Sequence, residues 1–255
     1  MSENANFRCS FNQVEGHLRA RLTAAEPPRL QLLTGPRQVG KTTLLTSLAR
    51  ELGPRAIYAA GDSPELVTAG GLERLWARAE VGATASQPAI VLLDEVQLLP
   101  DWGGRLKSAL DDFDRRSVSV RVVASGSSAL RLASGSRESL AGRFERLELV
   151  HWTLDAARAA FGPVTPEDFV CWGAYPGTFR YRDDPVRRLA YLRDAIIEPA
   201  IGRDLLAVAP IRKPALLRQV FAVATSAPGQ IVSLQKVQGQ LQGPGALETI
   251  ADYLA

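Results

Sequence analysis

The chain has 255 residues, 46% of them hydrophobic and 22% charged, which is the composition of a globular protein with room for a large domain and a smaller one. Two cysteines cannot build a disulfide-rich scaffold, and the sequence has no apolar run long enough for a membrane-spanning helix. The net charge of +3 permits contact with nucleic acid without arguing for it, and the N-terminal segment has no secretory pattern. We therefore expect a cytoplasmic protein with no membrane partner.

Strand-length apolar segments alternate with amphipathic segments between Ser10 and Val150. The predicted strands cover 30–34, 56–60, 89–93, 118–124 and 144–150, and the predicted helices cover 10–24, 41–52, 64–80, 102–115 and 127–140. The segment Ala89–Leu93 is apolar on both faces, which is typical of a parallel strand covered on both sides. The alternation predicts an α/β fold with a five-stranded parallel sheet, helices on both faces and a ligand site at the carboxyl ends of the strands.

After His151 the pattern becomes helical, and glycine and proline residues separate short segments. The predicted helices here cover 155–161, 166–172, 185–198, 214–224, 233–241 and 245–255. We therefore expect a smaller all-helical region, with a boundary between 152 and 165.

A glycine-rich turn lies between the first predicted strand of the sheet and the helix that begins at Lys41. It matches the pattern G-x-x-x-x-G-K-[ST] in the strand–turn–helix context that a phosphate-binding loop requires. In such a loop the backbone N–H groups point at phosphate oxygens, the lysine reaches the β- and γ-phosphates, and the hydroxyl after it binds Mg²⁺. The alternative is an ordinary glycine turn. The predicted nucleotide-binding residues are Gly35, Pro36, Arg37, Gln38, Val39, Gly40, Lys41, Thr42 and Thr43.

An acidic pair, Asp94-Glu95, ends the most apolar predicted strand. This position predicts that Asp94 holds Mg²⁺ together with Thr42, partly through water. Glu95 then points toward the γ-phosphate and is predicted to activate the attacking water as a general base. The alternative is that both carboxylates only cap the following turn.

The strand and helix between the loop and the acidic strand resemble the additional-strand, catalytic-glutamate class of P-loop NTPases, which includes AAA+ and STAND proteins. Ser125, at the tip of the fourth predicted strand, is a candidate sensor of the γ-phosphate, and the alternative for the run Ser125–Ser128 is a helix N-cap. Arg143 precedes the fifth strand, where AAA+ proteins often carry an arginine that reaches the γ-phosphate of a neighbouring subunit. The alternatives are an ion-paired surface role for Arg143 and a role in cis for Arg37.

Several runs together resemble the prokaryotic AAA_14 family of ATPases. They are Thr34–Thr43, Leu93–Gln97, Pro100–Trp102, Ser125–Ser128 and Leu140–Arg143. The later runs Gly173–Gly177 and Arg203-Asp204 resemble the start of the DUF4143 domain that commonly follows it. The resemblance implies binding and hydrolysis of ATP with Mg²⁺, on behalf of an unknown protein client.

The resemblance also implies a domain organisation. It consists of an N-terminal helix (1–26), a P-loop ATPase core (27–155), a helical linker or lid (156–213) and a partial winged helix that begins the DUF4143 domain (214–255). The chain stops inside the expected recognition helix, so we expect a C-terminally truncated protein for which DNA binding is in doubt.

These patterns favour an Mg²⁺-dependent ATPase that couples its nucleotide state to the C-terminal helical region, with a homo-oligomer as its assembly. Two alternatives stay open. One is a nucleotide-dependent switch with negligible turnover, and the other is an ATP-dependent regulator that binds DNA.

Overall fold

A computed structural model describes residues 7–24, 30–84, 87–126, 140, 142–205, 211, 213–243 and 246–254, with the backbone alone at 7–9 and 203–204. The chain divides into two compact units, Met1–Arg188 and Leu189–Ala255. The predicted helix 127–140 lies outside the described residues except for Leu140. The predicted domain boundaries at 26, 155 and 213 stay predictions.

A six-stranded sheet forms the centre of the first unit. Its strands are β1 (Phe7–Cys9), β2 (Leu30–Thr34), β3 (Ala56–Ala60), β4 (Ala89–Asp94), β5 (Val120–Gly126) and β6 (Phe144–Leu149). All pairings are parallel, and the spatial order is β1-β6-β2-β5-β4-β3. The five predicted strands are confirmed. β1 adds a sixth strand at the edge, and its three residues are too few to show a period in the sequence.

Among the described residues, seven α-helices lie wholly within the first unit, beside short 3₁₀ turns at Gly53–Arg55, Val96–Leu98 and Pro176–Tyr181. The helices are α1 (Phe11–Thr23), α2 (Lys41–Leu52), α3 (Pro64–Val67), α4 (Gly71–Gly82), α5 (Trp102–Arg116), α6 (Leu154–Phe161) and α7 (Pro166–Trp172). The single helix predicted over 64–80 is wrong, because α3 ends at Val67 and α4 begins at Gly71. Gly70 between them has φ +72°, and a Cβ at Gly71 would lie 2.2 Å from the carbonyl oxygen of Glu65. The chain therefore turns where only glycine fits.

The core has two layers, one on each face of the sheet. Alternate residues of β4 point to opposite faces, so Ile90 packs with α1 and α2 while Val91 packs with α4 and α5. All six residues of β4 are buried. The prediction that this strand is covered on both faces is confirmed. The carboxyl end of β4 lies beside the loop that precedes α2.

The second unit is helical, as predicted. The helix α8 (Pro185–Tyr191) begins in the last residues of the first unit and runs on in π-helical geometry over Leu192–Ile197. A second π-helical segment covers Ala200–Leu205. The later helices are α9 (Pro214–Thr225), α10 (Leu234–Gln238) and α11 (Leu247–Leu254). Leu216, Val220, Val237 and Ile250 form their small core. In the described part of the chain, no helix has the length and apolarity that a membrane crossing needs.

Candidate nucleotide-binding site

The predicted phosphate loop leaves the carboxyl end of β2 and enters α2 at Lys41. Gly35 and Gly40 have φ angles of +151° and +106°, which side-chain-bearing residues rarely adopt. A Cβ at Gly35 would also lie 2.2 Å from the carbonyl oxygen of Leu149. Both glycines of the sequence pattern are therefore required by the backbone path of the loop.

Lys41 lies under the curl of this loop, with 5% of its surface exposed. Its Nζ donates hydrogen bonds to the carbonyl oxygens of Gly35 at 3.0 Å and Pro36 at 2.7 Å. The ammonium group is thus held at the amino end of α2, where it adds to the positive end of the helix dipole. The charge and the helix end together give this place a positive potential, which favours an anion.

Asp94 ends β4 and is 2% exposed. Thr42, in the first turn of α2, donates its hydroxyl to Oδ2 of Asp94 at 2.6 Å. β5 lies between β2 and β4, so the loop and the acid meet across one intervening strand. A hydroxyl and a carboxylate at this separation are hard oxygen ligands of the kind that Mg²⁺ prefers, so the pair fits the predicted metal site.

Three further donors converge on the same carboxylate. Tyr58 of β3 donates its hydroxyl to Oδ2 of Asp94 at 3.2 Å, the backbone N–H of Glu95 donates to Oδ1 at 3.0 Å, and the Ser125 hydroxyl also donates to Oδ1. Burial, together with the charge of Asp94, raises the pKa of Tyr58 to about 12, so its phenol keeps its proton and stays a donor. The predicted site residue Ser125 therefore contacts Asp94, and Ser127 and Ser128 lie outside the described residues.

Sequence reasoning missed Tyr58. The pairing of Ala60 with Asp94 across β3 and β4 brings the phenol to the acid. A tyrosine in an apolar strand gives no local sign of such a contact, because the sequence of one strand alone does not determine its register with a neighbouring strand.

Glu95 follows Asp94 in a strained backbone position, with φ +48°. Its carboxylate is half-buried and accepts a hydrogen bond from the side-chain amide of Gln97. A Cβ at Gly61 would lie 2.5 Å from the carbonyl oxygen of Glu95, so the end of β3 packs directly on this turn. The predicted general base thus lies next to Asp94, the predicted metal ligand, and is held by its own neighbours.

Arg143 lies elsewhere. It precedes β6, and its carbonyl oxygen accepts from the N–H of Leu30 at the start of β2, so it is at the amino edge of the parallel sheet, opposite the loop. Its guanidinium forms an ion pair with Asp111 of α5, Nε to Oδ1 2.9 Å, and both side chains are about 40% exposed. The structure therefore separates Arg143 from the loop of its own chain. Arg37 remains in the loop, and Thr43 is exposed on the first turn of α2.

Two known families match the chain. The AAA_14 family, described as an AAA domain, matches residues 27–156, and a domain of unknown function, DUF8612, matches residues 165–255. The first match contains the loop and the acidic pair. The second shows that the predicted DUF4143 domain is wrong, since the runs that suggested it are too short to distinguish one helical family from another.

Known proteins with similar sequence or structure were also found. Uncharacterized proteins of Mycobacterium bovis and Mycobacterium tuberculosis are each 29% identical to the chain over 202 residues, which cover 79% of the chain and 42% of each relative. The chain thus spans less than half the length of these relatives. Solved structures include the RuvB Holliday junction branch migration motor of Thermotoga maritima, with 20% identity and a TM-score of 0.48 over 89% of this chain and 80% of that one. A second RuvB structure covers 95% and 86%, also with a TM-score of 0.48.

Proposed function

The chain belongs to the AAA_14 family of AAA domains, and from this membership, which points to an ATPase in general, we propose that it binds ATP with Mg²⁺ and hydrolyses it. The observation that carries the proposal is the 2.6 Å hydrogen bond between Thr42 and Asp94. It joins the loop that would hold the phosphates to the acid that would complete the metal site.

Phosphate binding is supported by the loop and its lysine. The backbone N–H groups of residues 37–43 and the amino end of α2 provide donors and positive potential for the β- and γ-phosphates. Lys41 already lies within the curl, so exchanging the carbonyl oxygens of Gly35 and Pro36 for phosphate oxygens needs only a rotation of its long side chain. We infer that this exchange accompanies ATP binding.

Thr42 and Asp94 would hold the Mg²⁺. When bound, the ion would supply positive charge against the negative charge of the terminal phosphoryl group. The hydroxyls of Tyr58 and Ser125 would fix the orientation of the Asp94 carboxylate, as outer hydrogen-bond partners of metal ligands do. Ser125 therefore acts on the phosphate through Asp94 in this proposal.

Glu95 would act as the general base. Its carboxylate takes a proton from the attacking water, the oxygen of that water bonds to the γ-phosphorus, and ADP leaves with the electrons of the broken bond. The strained backbone at Glu95 and the close packing of Gly61 hold the residue in one position beside Asp94.

The test is phosphate release from ATP with Mg²⁺ by wild type and by Glu95→Gln. We expect the substitution to lower the rate by a factor on the order of a thousand while ATP still binds, because the amide cannot accept the proton. Glu65→Gln, in an exposed glutamate of α3, is the matched control and should leave the rate unchanged. Equal rates for Glu95→Gln and wild type would remove Glu95 from this role.

A second candidate function is a nucleotide switch with slow turnover, and the contact between Gln97 and Glu95 favours it. An oxygen of the base that already accepts a hydrogen bond is less available to a water proton. If this contact restrains hydrolysis, Gln97→Ala should raise the single-turnover rate several-fold without changing ATP affinity. An unchanged or lower rate would count against the switch.

Arg143 can serve a nucleotide only in a second copy of the chain, given its place at the amino edge. We propose this role, in a homo-oligomer, and it requires the Asp111 ion pair to open. The rate per subunit should then climb with protein concentration in wild type and stay flat and low in Arg143→Ala. A flat rate in wild type would contradict the proposal.

A further inference from the structure

The phosphate loop is tied to a tryptophan that follows β6. Nε1–H of Trp152 donates to the carbonyl oxygen of Val39 at 2.9 Å, between residues 113 positions apart in the chain. Val39 is the residue before Gly40, so the bond reaches the loop where it turns into α2. None of the predicted functions uses Trp152.

This bond orients a donor of the loop. In a planar trans peptide the C=O and the N–H point in opposite directions. Fixing the carbonyl of Val39 therefore fixes the direction of the N–H of Gly40, which is one of the amides that a loop of this pattern turns toward phosphate. The indole N–H is on the carbonyl side of the peptide, and the opposite side is left to the ligand.

The same peptide is restrained on its other sides. The side chain of Val39 is fully buried in the core layer that contains α1 and α2. A Cβ at Gly40 would lie 3.2 Å from the ring of Phe11. Gln38 and Gly40, which flank Val39, both have positive φ, and glycine permits more than one backbone state. The Trp152 hydrogen bond adds to these restraints, and it acts on the carbonyl group of the peptide itself.

Trp152 is itself held in place. Its backbone N–H donates to the carbonyl oxygen of Ala174 at 3.2 Å, and its ring packs against Phe11 and Phe161, each with a centroid distance of 5.5 Å. Phe161 stacks on Phe179 at 4.6 Å. The direction of the indole N–H is therefore set by Phe11 of α1 and by the segment that follows the sheet.

We propose that Trp152 is a positioning residue of the phosphate loop, whose indole N–H holds the peptide between Val39 and Gly40 with the Gly40 N–H facing the phosphate. This role rests on the proposed function, because the loop must bind a nucleotide for its orientation to matter. The chemical class of the ligand is a nucleoside di- or triphosphate.

The test is calorimetric titration of the full chain with ADP and Mg²⁺. Trp152→Phe keeps an aromatic ring beside Phe11 and Phe161 and removes the donor, so we expect a Kd for ADP about three- to tenfold higher. Trp172→Phe is the matched control, because Trp172 contacts Phe179 at the far end of the same aromatic row. Its Kd should stay within about twofold of wild type.

A second variant removes the hydrogen bond without changing the ring. Replacement of Trp152 by 3-benzothienylalanine retains the bicyclic shape and lacks the N–H, so it should weaken ADP binding as much as Trp152→Phe does, at an unchanged melting temperature. It also decides the question if Trp152→Phe does not fold. If this variant binds ADP as wild type does, the positioning role is overturned and the proposed function stands. If wild type itself binds no ADP, both fail.

Discussion

A charged side chain is buried where the parallel strands end, here called the carboxyl edge of the sheet, and another where they begin, the amino edge. The two charges have hydrogen-bond partners of opposite kinds. At the carboxyl edge, Asp94 is an anion that accepts from three hydroxyl groups and one backbone N–H. Near the amino edge, Arg121 of β5 is a cation, 5% exposed, that donates to the carbonyl oxygens of Leu22 and Ala24 just where α1 ends. β5 connects the two places, since Ser125 is at its other end.

The difference lies in what can be exchanged. A hydroxyl can rotate away from a carboxylate and be replaced by a metal ion, at little change in the fold. The last carbonyl groups of a helix have no partner within the helix. Removal of the guanidinium would leave these carbonyl groups without a hydrogen-bond donor and would lower the stability of the fold. The hydrogen-bond partners at the carboxyl edge can therefore be exchanged, whereas those at the amino edge must stay in place for stability.

Among the three substitutions that compare the two edges, Asp94→Asn should have the largest effect on activity. An amide cannot hold Mg²⁺ as a carboxylate does, so phosphate release from ATP should fall about a hundredfold or more. The free energy of unfolding should change by only about 1–2 kcal/mol, because the amide oxygen still accepts from one side of the cluster. Phosphate-release assays and urea denaturation measure the two quantities.

The control for this substitution is Asp155→Asn, since Asp155 is 95% exposed. It should leave both quantities unchanged. A loss of several kcal/mol in Asp94→Asn, with activity lost only in proportion to unfolding, would assign the carboxyl edge to stability and erase the contrast between the edges.

Arg121→Met should show the reverse pattern. Methionine fills much of the volume but donates no hydrogen bond, so the carbonyl groups at the end of α1 lose their partner. Since each such loss costs about 1–3 kcal/mol, the free energy of unfolding should fall by roughly 2–4 kcal/mol. ADP affinity, measured by calorimetry on the folded protein, should stay within about twofold of wild type.

Arg78→Met, in an exposed arginine of α4, is the control for a change of charge and should not alter the unfolding free energy. If Arg121→Met instead weakens ADP binding strongly while leaving stability intact, the amino edge communicates with the site and the two edges are not independent.

The sequence alone predicted the two contiguous segments that the structure brings together at the candidate site. The loop from Gly35 to Thr42 carries its own pattern, and the apolar strand before Asp94 identifies the acid that faces it. The five core strands follow for the same reason, because each is long enough to show its apolarity.

The remainder depends on pairings between distant segments. The contact of Tyr58 with Asp94 follows from the register of β3 and β4, and the bond from Trp152 to Val39 joins residues 113 positions apart. Neither contact produces a recognisable pattern in the sequence around its residues. Arg143 is different, because its position before β6 already implies the amino edge of a parallel sheet, and this implication excludes a role on its own chain's loop.

The smallest effect should come from Tyr58→Phe, which removes one of the four donors to Asp94 and keeps the ring. Loss of an outer partner of a metal ligand should raise the Mg²⁺ concentration that gives half the maximal rate of ATP hydrolysis by about three- to tenfold. The free energy of unfolding should fall by less than about 1 kcal/mol. Because the pKa of Tyr58 is raised to about 12, its phenol is protonated throughout the neutral range, and the pH profile of the variant should have the wild-type shape between about pH 6 and 9. A magnesium titration of the rate measures the first effect, with Tyr181→Phe as the control. A variant with wild-type magnesium dependence would mean that the three remaining donors orient Asp94 unaided, and a new ionisation in its profile would mean that Tyr58 does more than donate.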